Sequence, residues 1–326
     1  LHKNSQAAIT KGMSNLVFID GAAGTTGLQV ADRLASRADL EVLILDETAR
    51  KQEAARRDAM QAADIAILCL PDEAARAAAQ MAEGLSVRLI DASSAHRTAA
   101  GWVYGFAELE ADRAAEIAAA RLVSNPGCYP SGFLALARPL IRAGWLAPSA
   151  SLNVPAVSGY SGGGKALIEK FESGKAPPAF AYATGLQHKH LPEMTQHCGL
   201  DTPPIFMPSV GDFAQGMLVH LPLHKSQFTI PVDASQLHAL YAEAYQDQPL
   251  ISVAGVGAAD WLEDGFFAAT ALAGTDRLEI AVFANASEDQ FWLCARLDNL
   301  GKGASGAAVQ NLNLMLGLPV MAGLSV

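Results

Sequence analysis

The chain has 326 residues, 51% of them hydrophobic and 17% charged. That excludes a disordered or low-complexity protein, because there is enough apolar surface to offset the entropy of ordering the chain. Lys and Arg number 23 against 33 Asp and Glu, for a net charge of −10; with no dense basic stretch, the electrostatic footprint of a nucleic-acid binder is missing. The longest apolar run, at 65–70, falls far short of the roughly 20 residues of a membrane-spanning helix, and at about 150 residues per domain the length predicts two domains.

In chain order, residues 1–12 read as an expression remnant before a native start at Met13. They contain no signal-peptide apolar region, so the expected location is the cytoplasm. Residues 16–20 form an apolar strand, followed by Gly21-Ala-Ala-Gly24-Thr25-Thr26-Gly27, an amphipathic helix at 28–37 and a second strand at 41–45. Further strands are predicted at 65–70, 87–90 and 122–124, with alanine-rich helices near 73–82 and 111–120. This alternation is the α/β signature of a Rossmann-type parallel sheet. From about Ser151 the texture changes to longer, partly alternating strands at 152–158, 217–223, 278–284 and 290–297, with helices at 165–171 and 234–245. That pattern predicts an α+β part with a mixed or antiparallel sheet and helices on one face. The segment 304–316 is helical again and is expected to pack back onto the first domain.

A glycine turn straight after the first strand lets backbone approach a pyrophosphate at a helix N-terminus. Gly21, Gly24, Thr25, Thr26 and Gly27 are therefore the expected cofactor-binding set. Asp46, roughly 20 residues on, would favour NAD, whereas Arg50 and Lys51 would pair with a 2′-phosphate. A second cluster, Gly159 to Lys165, fits most of a phosphate loop but has Ala166 where a Mg²⁺-binding hydroxyl is needed. An NTPase is rejected on that ground.

The nucleophile candidate is Cys128 in Ser124-Asn-Pro-Gly-Cys128-Tyr-Pro-Ser-Gly132. A strand end and a Pro-Gly turn place it at a helix start, where the partial positive charge should lower the thiol pKa and favour thiolate. Gln187-His188-Lys189-His190-Leu191-Pro192-Glu193 offers the acid/base partner: His190 first, His188 in reserve, with Glu193 orienting the ring. The cluster of His188, His190, His197 and Cys198 matches no common zinc spacing, so no metal is expected. Cys69 and Cys294 read as buried thiols.

Taken together, these motifs resemble the N-acetyl-γ-glutamyl-phosphate reductase family, in its shorter subgroup. Asp91-Ala-Ser-Ser-Ala-His-Arg97, Val157 to Lys165, Pro208-Ser-Val-Gly211 and Asp298 to Asn311 carry the likeness further. The resemblance implies the fold shared by aspartate-semialdehyde and glyceraldehyde-3-phosphate dehydrogenases. It implies NADP(H), chosen here with Arg50 over Asp46, and arginine biosynthesis by reduction of an acyl phosphate through a Cys128 thioacyl intermediate. It further implies a His190 imidazolium stabilising the thiolate, cofactor contacts at Asn299 and Gly301, and substrate contacts at Arg97, Ser158 and Gly159. For Arg97 a surface ion pair is the equal alternative. The implied division is 13–127 plus 303–326 for the NADP-binding domain and 128–302 for a catalytic and dimerisation domain, in a homo-oligomer that needs no nucleic-acid or membrane partner. Rival readings are an aspartate-semialdehyde dehydrogenase, a nucleotide-binding sensor and, more remotely, a cysteine hydrolase.

Overall fold

The computed structural model describes residues 14–326; the remnant expected at 1–12 lies outside the described residues. The first part of the chain builds β1 (Asn15–Asp20), α1 (Thr25–Leu34), β2 (Leu40–Leu43), α2 (Glu53–Ala62), β3 (Ile65–Leu68), α3 (Asp72–Met81), β4 (Arg88–Asp91), β5 (Val103–Tyr104), α4 (Arg113–Ala119) and β6 (Leu122–Ser124). Among the described residues these strands form a six-stranded parallel sheet in the order β2-β1-β3-β4-β6-β5. β3 is Ile-Ala-Ile-Leu and is buried at every position, as a parallel strand covered on both faces requires. The chain runs outward from β1 to β2 and returns to β3 on the other side of β1. The carboxyl ends of β1 and β3 therefore flank a crevice, the place where open α/β sheets bind ligands.

The second part contains α5 (Cys128–Arg142), β7 (Asn153–Gly159), α6 (Lys165–Glu172), β8 (Ala179–Ala181), α7 (Leu191–Cys198), β9 (Ile205–Gly211), β10 (Met217–His224), α8 (Ala234–Ala244), β11 (Ile251–Val253), β12 (Leu278–Ala284), β13 (Gln290–Leu297) and α9 (Gly306–Leu316). Its seven-stranded mixed sheet runs β11-β12-β13-β10-β7-β9-β8. One face is covered by α5 and α8, whose Phe133, Leu136, Leu140, Leu237 and Tyr241 pack on Val219, Leu221, Leu293 and Leu297. The other face leaves Ile205, Met207 and Trp292 exposed.

Pro139 lies inside α5 and cannot donate to the carbonyl of Ala135. The Tyr245 hydroxyl supplies that bond at 2.8 Å, and Tyr241 donates to the Leu136 carbonyl at 2.7 Å. Helix α5 thus keeps its course to the Cys128 end with its broken rung repaired from α8.

The strands at 278–284 and 290–297 match their predicted bounds. α2, β5, β8, β9 and β11 have no predicted counterpart. α2 buries only Ala59 and Met60 within a polar stretch, which leaves little periodic signal, and β9 carries Pro208 in mid-strand. The closing helix begins at Gly306, after a π-helical turn at Gly301–Ser305. Its Ala308, Val309, Leu312 and Met315 share a core with Val17, Ile19, Val30 and Ile90 of the first sheet layer. No helix among the described residues is long and apolar enough to cross a membrane.

An ion pair buried at both ends fastens that returning segment. Lys302 Nζ donates to both Glu108 oxygens at 2.7 and 2.8 Å and to Gln310 Oε1 at 2.6 Å. Its ammonium also lies 5.5 Å from the Phe106 ring centroid. Glu108→Ala strands a buried ammonium, so stability should fall by about 3–5 kcal/mol, read as a lower urea midpoint at unchanged m-value.

Candidate active site

The crevice opens into a cleft of about 640 Å³ between the two sheets. On the first-sheet side its wall is the glycine turn, in which two of the three glycines are required by close contacts. Gly21 sits at φ +90°, and a Cβ there would overlap the Cys69 carbonyl. A Cβ on Gly27 would overlap the Gly21 carbonyl, so α1 closes over the turn only with glycine. A Cβ on Gly24 would make only ordinary contact with the Gly21 and Cys69 carbonyls, and the residue precedes α1 without any side-chain cap. Gly24, Thr25 and Thr26 line the cleft; the Gly24 N–H donates to the Gly21 carbonyl at 3.1 Å, and the N–H groups of Thr25 and Thr26 are those a helix start leaves unpaired. These residues suit the pyrophosphate of a dinucleotide.

The end of β2 lies next to a smaller cavity of about 280 Å³, lined by Gly21, Ala22, Ile44, Glu47 and Arg50 among others. Arg50 is exposed and forks onto Glu47 at 2.7 Å through Nε and Nη2, with Lys51 on the same carboxylate at 2.9 Å. Asp46 Oδ1 accepts the N–H groups of Thr48 and Ala49 at 2.9 and 2.7 Å, so its charge is engaged by the turn that carries Arg50.

Cys128 is the first residue of α5, half-buried on the cleft floor. A Cβ on Gly127 would overlap the His190 ring, and one on Gly303 would overlap Cys128 itself. The cysteine is therefore held between two close backbone approaches. The structure corrects the thiolate expected from the helix terminus. Burial pushes the thiol up to about 11, against the lowering effect of the Tyr129 N–H and of Arg97. Burial also lowers the His190 pKa, against the raising effect of Glu193. Both shifts favour the uncharged forms, thiol and imidazole, because the cleft floor solvates separated charges poorly.

Glu193 organises the base. Its Oε1 lies 2.6 Å from His190 Nδ1 and accepts from Arg97 Nη1 at 2.6 Å, while Oε2 accepts the Tyr104 hydroxyl at 2.7 Å and the Gly127 N–H at 3.1 Å. Arg97 and the histidine bond hold the carboxyl down to about 2, although burial alone would raise it. With an ionised acceptor on Nδ1, that nitrogen is assigned the proton, and Nε2 becomes the acceptor. His188 accepts the His190 N–H on Nδ1 at 3.1 Å and packs against Tyr182 and Phe206; burial lowers it to about 4. The reserve histidine thus holds the backbone of the first one.

Arg97 departs from both sequence readings. It is buried, which excludes a surface pair, and its guanidinium reaches inward to Asn125 O at 2.9 Å, Glu193 at 2.6 Å and Ala92 O at 3.3 Å. The fork expected for an anion is occupied by protein acceptors. Ser158 and Gly159 line the cleft opposite the glycine turn, as does Asn299, whose amide is engaged by Ser161 Oγ at 2.9 Å and the Gly216 N–H at 3.0 Å. Gly301 is not brought to the cleft. It lies against the Thr275 carbonyl, and Gly303 and Ala304 line the wall instead. Tyr104 and Asn125 escape sequence reasoning: the first sits in a two-residue strand, and the second is hidden in the turn motif as a spacer before Cys128. His197 is stacked on Tyr104, with Nε2 2.6 Å from the Arg97 carbonyl. Among the described residues no three His, Cys, Asp or Glu side chains are placed to hold a metal ion.

A parallel dinucleotide-type sheet and a cysteine–histidine cleft beside a mixed sheet define an oxidoreductase of the semialdehyde dehydrogenase class. Residues 17–117 match the semialdehyde dehydrogenase NAD binding domain, and 128–299 match the semialdehyde dehydrogenase dimerisation domain. The fold is similar to that of aspartate semialdehyde dehydrogenase II from Vibrio cholerae, complexed with ASA (TM-score 0.71, 18% identity, 94% of this chain and 99% of that one). It is also similar to aspartate semialdehyde dehydrogenase with NADP from Candida albicans (TM-score 0.66, 11% identity, 93% and 99%). In sequence the chain is 49% identical over 317 residues to an N-acetyl-gamma-glutamyl-phosphate reductase of Trichormus variabilis, covering 94% of this chain and 98% of that protein. It is 49% identical over 308 residues to one of Burkholderia cenocepacia, covering 92% and 97%. The chain belongs to the N-acetyl-γ-glutamyl-phosphate reductase family.

The neutral resting pair has a measurable signature. Alkylation of Cys128 by iodoacetamide should keep rising by about tenfold per pH unit through pH 9, following the thiolate fraction of a group near 11. A rate that levels off near pH 6 would reveal a thiolate–imidazolium pair instead.

Proposed function

We propose that the protein reduces N-acetyl-γ-glutamyl phosphate to N-acetylglutamate 5-semialdehyde and phosphate with NADPH, a step of arginine biosynthesis, through a thioacyl intermediate on Cys128. One observation carries the reading: Cys128, with His190 fixed by Glu193, shares a single cleft with the uncapped glycine turn, in a member of this family.

His190 Nε2 takes the thiol proton as Cys128 Sγ attacks the acyl carbon. The N–H groups at the start of α5 meet the developing oxyanion, phosphate departs, and a thioester remains. Gly24, Thr25 and Thr26 would hold NADPH, which would supply the hydride for reduction of this acyl group. When the reduced adduct collapses to the aldehyde, His190 returns its proton to the departing sulfur. Glu193 holds the ring throughout, and Arg97 acts by holding Glu193 and Asn125. Ser158 and Gly159 are the proposed substrate contacts, and Asn299 fixes the wall beside them.

The preference for NADP over NAD rests on Arg50 and Lys51, whose exposed partner Glu47 a 2′-phosphate replaces, while Asp46 is already engaged by backbone. The proposed cofactor domain is 13–127 plus 303–326, and 128–302 is the catalytic and dimerisation domain. A homo-oligomer would form through the open sheet face around Ile205, Met207 and Trp292. The cytoplasm is the proposed location.

The test is spectrophotometric reduction of NADP⁺ with N-acetylglutamate semialdehyde and phosphate. Cys128→Ser should lose roughly 1,000-fold or more in kcat while still binding nucleotide; near-normal turnover would overturn the assignment. Faster turnover of aspartate semialdehyde would favour that neighbouring activity. Arg50→Ala should raise KM for NADP⁺ by about tenfold, because it removes a charge-assisted hydrogen bond to the 2′-phosphate, and leave KM for NAD⁺ unchanged.

A further inference from the structure

The proposed substrate carries a phosphate and an α-carboxylate, and the chain as a whole is strongly acidic, so anion recognition needs a local cation. Among the described residues lining the cleft, the cationic side chains are Arg97 and Lys189. Arg97 is committed to Asn125, Glu193 and Ala92, and His188 and His190 are held neutral by burial.

Lys189 differs on every count. It is exposed at the cleft and makes no hydrogen bond or ion pair with any described residue. Asp72, which feels the Lys189 charge, accepts the N–H and hydroxyl of Ser94 and is also acted on by Arg76, and it forms no ion pair with Lys189. The Lys189 backbone is pinned on both sides: His188 accepts the His190 N–H at 3.1 Å, and the Leu191 N–H donates to the His188 carbonyl at 3.0 Å. The exposed ammonium stands on a fixed base between the two histidines, close enough that its charge is felt at Cys128, His188 and His190.

We infer that Lys189 is the anion-binding residue of the substrate cleft, pairing with an oxyanion of the acyl phosphate, either its phosphate or its α-carboxylate; this rests on the function proposed above. An ammonium suits the task, because a point charge on a flexible stem can follow the substrate as phosphate leaves.

The experiment compares wild type, Lys189→Met and Lys189→Arg in NADP⁺ reduction, titrating N-acetylglutamate semialdehyde and inorganic phosphate separately. Lys189→Met should raise one KM by about 10- to 100-fold, as expected when a charged hydrogen-bond donor to the substrate is removed, and change kcat far less. Lys189→Arg should restore that KM to within about threefold, since the charge is kept. A raised phosphate KM assigns Lys189 to the leaving group, and a raised semialdehyde KM assigns it to the α-carboxylate. Unchanged KM values for both in an active Lys189→Met enzyme, or a raised KM that arginine does not restore, would overturn the inference alone. No turnover by wild type would overturn the function on which it rests.

Discussion

The buried carboxylate of Glu193 is the interaction on which the site depends. It accepts from Arg97 after β4, Tyr104 of β5, the N–H that precedes α5, and His190 before α7. An unpaired charge at that depth is costly, so each donor is required by the others. One small group thereby fixes the loops of the parallel sheet, the nucleophile's helix and the histidine's ring. The same contact sets the tautomer: an ionised acceptor on Nδ1 leaves Nε2 as the base, the logic by which a buried carboxylate orients histidine in hydrolytic triads.

Around this hub the backbone comes close wherever reacting parts must meet. Gly127 lets the His190 ring lie against the turn, Gly303 lets the returning segment press on Cys128, and Gly21 and Gly27 fold the nucleotide turn onto itself. The cleft is therefore shaped more by main chain than by side chains, and its rigidity comes from packing that a single added methyl would disturb. The same tight packing explains the neutral thiol and imidazole.

Much of this is legible in the amino-acid order, and the illegible part has a common cause. The βαβ opening, the helix start at Cys128 and the His190–Glu193 spacing are local, each fixed by neighbours within a few residues, and they read directly. Arg97 looks like a substrate fork because its three acceptors lie far along the chain or on backbone, which no motif displays. The lowered thiol pKa expected at a helix terminus follows from a correct local rule, but burial contributed by distant segments outweighs it. Gly301 and Gly303 stand two residues apart in a glycine-rich stretch, and only the π-helical turn decides which one faces the cleft. At Asp46 the sequence shows a carboxylate but not that one of its oxygens accepts two backbone N–H groups of the turn that follows.

The closing helix has a consequence for how the protein is made. The core of the first sheet is incomplete without Ala308, Val309, Leu312 and Met315, residues translated after the whole second sheet. Synthesis delivers the parallel sheet first, yet one side of it is covered only by α1 and α4 while the entire second sheet is translated and can fold. The order in which the chain emerges is thus not the order in which its layers are completed. The nucleotide-binding layer, begun first, completes its core only when α9 docks.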